Sequence, residues 1–264
     1  MKAGTLLLSP AMYDDMPHAP SRPARPVTDP ASARPPLDWS AWPLPLLAGL
    51  LPLVATLVAY TLSVRLGLVE ACMPLIDGCI SISRAARHEL PNHLFRALLL
   101  PAAALQALCW LLCGAWLRTL GAAPTRKLRA LPWLGLAAAL FLVLYGTFLG
   151  TEGEAYRWMR RYGVVLYFGG TCIAMLIVSD AAQGLALQAR HVARALRALC
   201  IALPLLGLAN VFAPLLHVDA ATRAALQNSA EWWGGLVFTL FFVAIAWLWH
   251  ATRFKIRFAI RCDD

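Results

Sequence analysis

Apolar positions in this chain come in long blocks rather than in fine alternation. Six apolar runs, roughly residues 42–64, 94–117, 131–150, 162–187, 196–216 and 232–252, are separated by short polar stretches. Each is near the ~20 residues that an α-helix needs to cross the hydrocarbon core of a bilayer. The pattern predicts an all-α integral membrane protein, a bundle of six transmembrane helices. Pro101, Pro204 and Pro214 fall inside these runs and predict kinks. Trp42, Trp116, Trp133, Trp158, Trp232, Trp233 and Trp249 fall near the ends, where an aromatic belt is expected. No Asp, Glu, Lys or Arg lies near the middle of a run; Gln106, Thr147, Thr171, Asn210 and Thr239 are among the polar residues inside the runs. Ion-coupled pumps and carriers usually need intramembrane charge, so this pattern argues against them. Asn210 is expected to bond between helices. No internal repeat is visible, which weakens a transporter built on inverted halves.

Residues 1–41 follow a different rule. Pro10, Pro17, Pro20, Pro23, Pro26, Pro30, Pro35 and Pro36 break any helix, and apolar residues are sparse. A disordered, Pro-rich cytoplasmic tail is expected. The run Leu6, Leu7, Leu8 is too short for a signal-peptide core, so the first span would itself be the retained targeting signal. The expected organisation is tail 1–41, membrane domain 42–254 and a short basic C-terminus 255–264.

Composition agrees: 60% of residues are hydrophobic and 14% charged, against about a quarter charged in soluble domains. The net charge of +9 would raise nucleic acid as a partner in a soluble protein. Here the basic residues flank apolar runs, so topology explains them and no nucleic-acid partner is expected. Fifteen Lys and Arg lie in the tail, the second and fourth loops and the C-terminus, against eight in the first, third and fifth loops. Both termini are therefore expected to be cytoplasmic, with the odd loops outside. Arg greatly outnumbers Lys and Ala and Leu abound, which suggests a GC-rich bacterial genome and so, for a chain with these spans, a bacterial inner membrane.

The seven cysteines make no CxxC pair. Cys109 and Cys113 share a helical face but are expected to pack rather than bind metal. Cys72 and Cys79 share the first outer loop and would pair in an oxidising compartment. No metal or cofactor is expected.

That loop, residues 77–96, holds the densest polar chemistry: Ser81, Ser83, Arg84, Arg87, His88, Glu89, His93 and Arg96. His88 and His93 are five apart with Pro91 between them, so they fail the HExxH zinc pattern. Ser81 or Ser83 with His88 would supply nucleophile and base, though no nucleophile elbow is present; the plainer use of the hydroxyls is to cap a helix. Glu152 and Glu154 in the third loop add carboxylates at the same face. Either arginines and carboxylates there form a headgroup pocket, or they pair across helices and pin the loops. Gly146 and Gly150 form a GxxxG pair, expected to serve close helix packing, with homodimerisation a lesser use.

Ser81-Ile82-Ser83, then Glu89-Leu90-Pro91, then Phe95-Arg96 entering the second span resembles the Frag/DRAM/Sfk family of membrane proteins. The stretch 145–171 is similar too, as is the end, where Glu231 opens the last span and His250 and Thr252 close it. The similarity covers most of residues 43–254. Ile80 stands where that family often has proline, and the step from Pro91 to Phe95-Arg96 is about one residue short. The resemblance implies six helices and a role tied to membrane lipids, with no shared reaction.

The leading expectation is a protein that binds or organises a lipid or lipid-linked glycan at the outer leaflet without catalysis, through Ser83, Arg84, His88, Glu89, Arg96, Glu152 and Glu154. The alternatives are a lipid acyl- or headgroup-transferase or hydrolase using Ser81, Ser83 and His88, and a scaffold that recruits a cytoplasmic or membrane-protein partner.

Overall fold

The computed structural model describes residues 37–185, 190–212 and 219–258, without the side chains of residues 37, 209–211 and 258. The chain divides into two units, residues 1–37 and 38–264. The proline-rich segment 1–36, the side chain of Asn210, Pro214 and the last six residues lie outside the described residues.

The second unit is predominantly helical, and six of its helices are long and apolar enough to cross a membrane. They are α1 (Pro43–Arg65), α4 (Glu89–Thr119), α5 (Arg126–Phe148), α6 (Glu154–Gln183), α7 (Arg190–Phe212) and α8 (Ala220–Ala251). Two one-turn helices, α2 (Pro74–Asp77) and α3 (Ile82–Ala85), interrupt the first loop. Local chemistry sets the ends. Pro43 begins α1, where its missing N–H costs nothing. Thr125 Oγ1 accepts the Leu128 N–H at the start of α5 (3.2 Å), and Asp219 Oδ1 accepts the Thr222 N–H at the start of α8 (2.6 Å). Pro91 lies in the first turn of α4, where it continues the helix rather than breaking it.

Large aromatic residues fill the middle of the bundle. Trp110 of α4 packs on Phe241 and Phe242 of α8, with ring centroids 5.9 and 5.5 Å apart. α1 comes in beside them because Gly49 has no side chain; a Cβ there would sit 2.7 Å from Phe242 Cβ. Buried polar residues bridge helices. Gln106 of α4 donates to the Ala48 carbonyl of α1 (3.1 Å) and accepts from the Tyr167 hydroxyl of α6 (3.1 Å). Thr239 of α8 donates to the Gly49 carbonyl (3.3 Å) or to its own helix at Gly235 (3.0 Å).

Three sequence expectations change. Trp116 and Trp249 are fully buried and Trp232 nearly so, and they serve the core rather than a belt; Trp116 Nε1 donates to Thr252 Oγ1 (3.0 Å). Trp133, Trp158, Trp233 and Trp247 are exposed, as is Trp39 ahead of α1. Gly146 packs against Leu99 of α4, but Gly150 is past the end of α5 with φ +84°, so it makes a turn and the pair is not a helix-packing motif. Finally, residues 37–41 are not all tail: β1 (Leu37–Ser40) pairs with β2 (Lys255–Phe258) beside the ends of α1 and α8. Arg257 Nε donates to Asp38 Oδ1 across this ribbon (3.0 Å).

The first loop is fixed by side chains that reach its backbone carbonyls. From α8, Asn228 donates to Gly78 (2.7 Å), Trp232 to Ile80 (2.8 Å) and Trp233 to Leu75 (3.1 Å). From α1, Ser63 donates to Ala85 (2.6 Å), and from α4, Asn92 donates to Ala86 (2.9 Å) and to Leu149 (3.1 Å). Tyr60 donates to the Cys72 carbonyl (2.6 Å) and accepts the Cys72 N–H (3.0 Å). Cys72 and Cys79 are joined by a disulfide.

Candidate functional site

A cavity of about 1030 Å³ opens at the end of the bundle that carries the first and third loops and the start of α8. Its walls are the end of α3, α5, α6, α7 and α8. The α6 wall is one helical stripe: Arg157, Arg160, Arg161, then Val164, Val165, Phe168, Gly169 and Cys172. These residues recur at the i, i+3, i+4, i+7 spacing of a single face. The stripe is cationic at the loop end and apolar below it. α7 faces its lower part with Leu203, Pro204, Leu206 and Gly207, and is the least buried of the six helices. A Cβ at Gly169 or at Gly207 would meet nothing within 4 Å, so the groove between α6 and α7 is open at both.

The cationic end holds four guanidinium groups, those of Arg87, Arg157, Arg160 and Arg161, against one carboxylate, Glu231. Arg160 is already engaged: its Nη1 donates to the Phe148 carbonyl (3.0 Å) and to the Thr151 carbonyl, which satisfies the end of α5. Arg87, Arg157 and Arg161 make no ion pair among the described residues. Arg87 and Arg157 lie within electrostatic reach of Arg160, and Tyr145 lies within reach of Arg87, Arg160 and Glu231. Glu231 Oε1 accepts the Ser83 N–H (3.2 Å), which ties α3 to α8. Glu231, Tyr145, Val164 and Phe168 also border a smaller interior cavity of about 80 Å³, which reaches Thr56, Gln106 and Thr239.

The residues expected from the sequence are distributed as follows. Ser83 lines the large cavity. Glu154 shares an adjoining hollow with Arg157, Trp158 and Arg161. Arg84, His88, Glu89 and Glu152 are exposed and Arg96 half-buried, and none of the five lines the cavity. None of Arg84, Arg87 and Arg96 pairs with Glu152 or Glu154, so the loops are not pinned by those ion pairs. Ser81 Oγ accepts the Arg84 N–H (3.2 Å) as the N-cap of α3 and lies 3.2 Å from Ser83 Oγ. Neither serine is hydrogen-bonded to His88.

Sequence reading missed Arg157, Arg160 and Arg161 as a site and treated them only as topology charges. Their signal was the i, i+3, i+4 spacing continued into an apolar stripe with small residues at Gly169 and Cys172. No protein-family model, curated protein or solved structure matches this chain.

Proposed function

We propose that this chain is a multi-pass membrane protein that binds an anionic amphiphile, a lipid or lipid-linked glycan of the outer leaflet, and that it needs no catalysis to do so. The carrying observation is the α6 stripe, cationic at the loop end and apolar below. Guanidinium forks bind phosphate oxygens in pairs, and their strength rises where water is scarce. Below them the α6–α7 groove offers an apolar wall of the length an acyl or isoprenoid chain requires. From Arg161 to Cys172 the helix rises about 16 Å.

Orientation rests on two supports. The basic-residue asymmetry favours cytoplasmic termini. The Cys72–Cys79 disulfide suits a first loop on an oxidising side. A bacterial inner membrane fits both, and the resemblance to the Frag/DRAM/Sfk family points to lipids as well.

The hydrolase or transferase reading has less behind it, because Ser81 caps a helix and His88 bonds to neither serine. The scaffold reading would rest on the basic cytoplasmic face and on the segment 1–36.

The test is retention of lipid by the purified full chain, read by native mass spectrometry. Arg157→Gln with Arg161→Gln should lose at least tenfold of the retained anionic lipid while the melting temperature stays put. Unchanged retention in a folded variant would sink the site.

A further inference from the structure

We infer that the amphiphile carries a terminal, doubly charged phosphate, as in a lipid phosphomonoester, rather than the singly charged phosphodiester of a bulk phospholipid. This rests on the binding reading above and sharpens it by charge and by oxygen count.

Four guanidinium groups face one carboxylate at the mouth of the groove, an excess of three positive charges. Counting Glu154 of the adjoining hollow still leaves an excess of two. A phosphodiester brings one negative charge and leaves most of the surplus to solvent and counter-ions. A phosphomonoester brings about −1.5 to −2 and three strong acceptor oxygens.

The second count concerns geometry. Arg160 is held by the Phe148 and Thr151 carbonyls. That leaves three guanidinium forks without an acceptor among the described residues. Arg157 and Arg161 stand one turn apart on α6, and Arg87 comes from the first loop. Three forks match three terminal oxygens. A phosphodiester offers only two, and its extra substituent must be placed among the cations. The chain of the lipid then runs down the apolar stripe, past Gly169 and Gly207, where the structure leaves open space.

The test uses matched lipids and the full-length protein in detergent. The probes are dilauroyl phosphatidic acid, dilauroyl phosphatidylglycerol with the same chains, and inorganic phosphate. Phosphatidic acid is expected to bind at least tenfold more tightly than phosphatidylglycerol or phosphate. Arg157→Gln with Arg161→Gln should abolish the preference between the two lipids. Gly169→Leu, which fills the groove away from the arginines, should weaken both lipids and leave inorganic phosphate unchanged.

Equal affinity for the two lipids would overturn the inference and leave the groove reading standing. Phosphate binding as tightly as phosphatidic acid would overturn it by removing the chain. No binding of either lipid by a folded protein would overturn both readings.

Discussion

At the scale of single residues, the side chains of the cationic mouth divide into those that hold the fold and those without a partner. Arg160 closes the carbonyl end of α5 through Phe148 and Thr151. Arg160→Gln should therefore cost about 1 kcal/mol, the net worth of a typical hydrogen bond between half-buried groups, and lower the thermal midpoint. Arg157 and Arg161 are exposed and make no ion pair among the described residues, so their loss should spare stability and remove binding. The two outcomes are separated by measuring melting and lipid retention on the same samples. Glu231 is a third kind of residue. Its carboxylate accepts the Ser83 amide and also faces the arginines. Glu231→Gln keeps an acceptor and removes a negative charge, so it should leave the fold intact and bind an anionic lipid more tightly. Weaker binding by a folded Glu231→Gln protein would mean that the carboxylate itself contacts the ligand, through a hydroxyl or an amine. Arg84 and Arg96 stand out in the sequence because the first loop is dense in charge. They do not line the cavity, since that depends on which turn of α3 and α4 faces α6.

At the scale of elements, the first loop owes its order to α8. The first eleven residues of that helix, before Glu231, are the part that the hydrophobic pattern does not reveal, because the apolar run begins only at Trp232. Asn228, Trp232 and Trp233 donate to three carbonyls of the loop. Trp232→Phe keeps the ring against Tyr60 and removes one donor; it should destabilise by about 1–3 kcal/mol through the stranded Ile80 carbonyl. Cys72→Ser with Cys79→Ser opens a loop of seven-residue separation, and chain entropy sets the expected loss at about 2–3 kcal/mol. Both are read from thermal unfolding with and without reductant. The six spans themselves were legible, since block hydrophobicity needs no tertiary information. Helix ends were less so: α4 starts five residues before its apolar run because Pro91 fits a first turn. The β1–β2 ribbon was not legible, because Leu37–Ser40 and Lys255–Phe258 are each four residues long and meet only once α1 and α8 lie side by side. In that ribbon the hydrogen bond from Arg257 holds the Asp38 carboxyl below its ordinary range. A depressed carboxylate contributes stability above its unfolded pKa, about 3.9, and loses it as pH falls through the folded value. The protection factors of the ribbon amides, corrected for the intrinsic pH dependence of exchange, should therefore hold from pH 7 to 5 and fall only below about pH 4.

At the scale of the whole molecule, chain topology and charge polarity go together. The basic-residue count, the disulfide and the arginine mouth all concern the face opposite the β1–β2 ribbon. Single cysteines introduced at Glu152 and at Ala123, both exposed, lie in the third and second loops. In intact cells an impermeant thiol reagent should label the first and spare the second; the reverse pattern would invert the orientation and put the mouth in the cytoplasm. Helix packing, not sequence, brings Arg87 to the same cavity as Arg157 and Arg161, and lipid binding depends on that convergence. It is tested most directly by native mass spectrometry of the gently purified protein, recording the masses of the lipids that stay bound. The account predicts a narrow set of retained anionic species, lost from the Arg157→Gln, Arg161→Gln protein and from Gly169→Leu. The same broad bulk phospholipid on all three proteins would contradict it and shift weight to the scaffold reading and the cytoplasmic face.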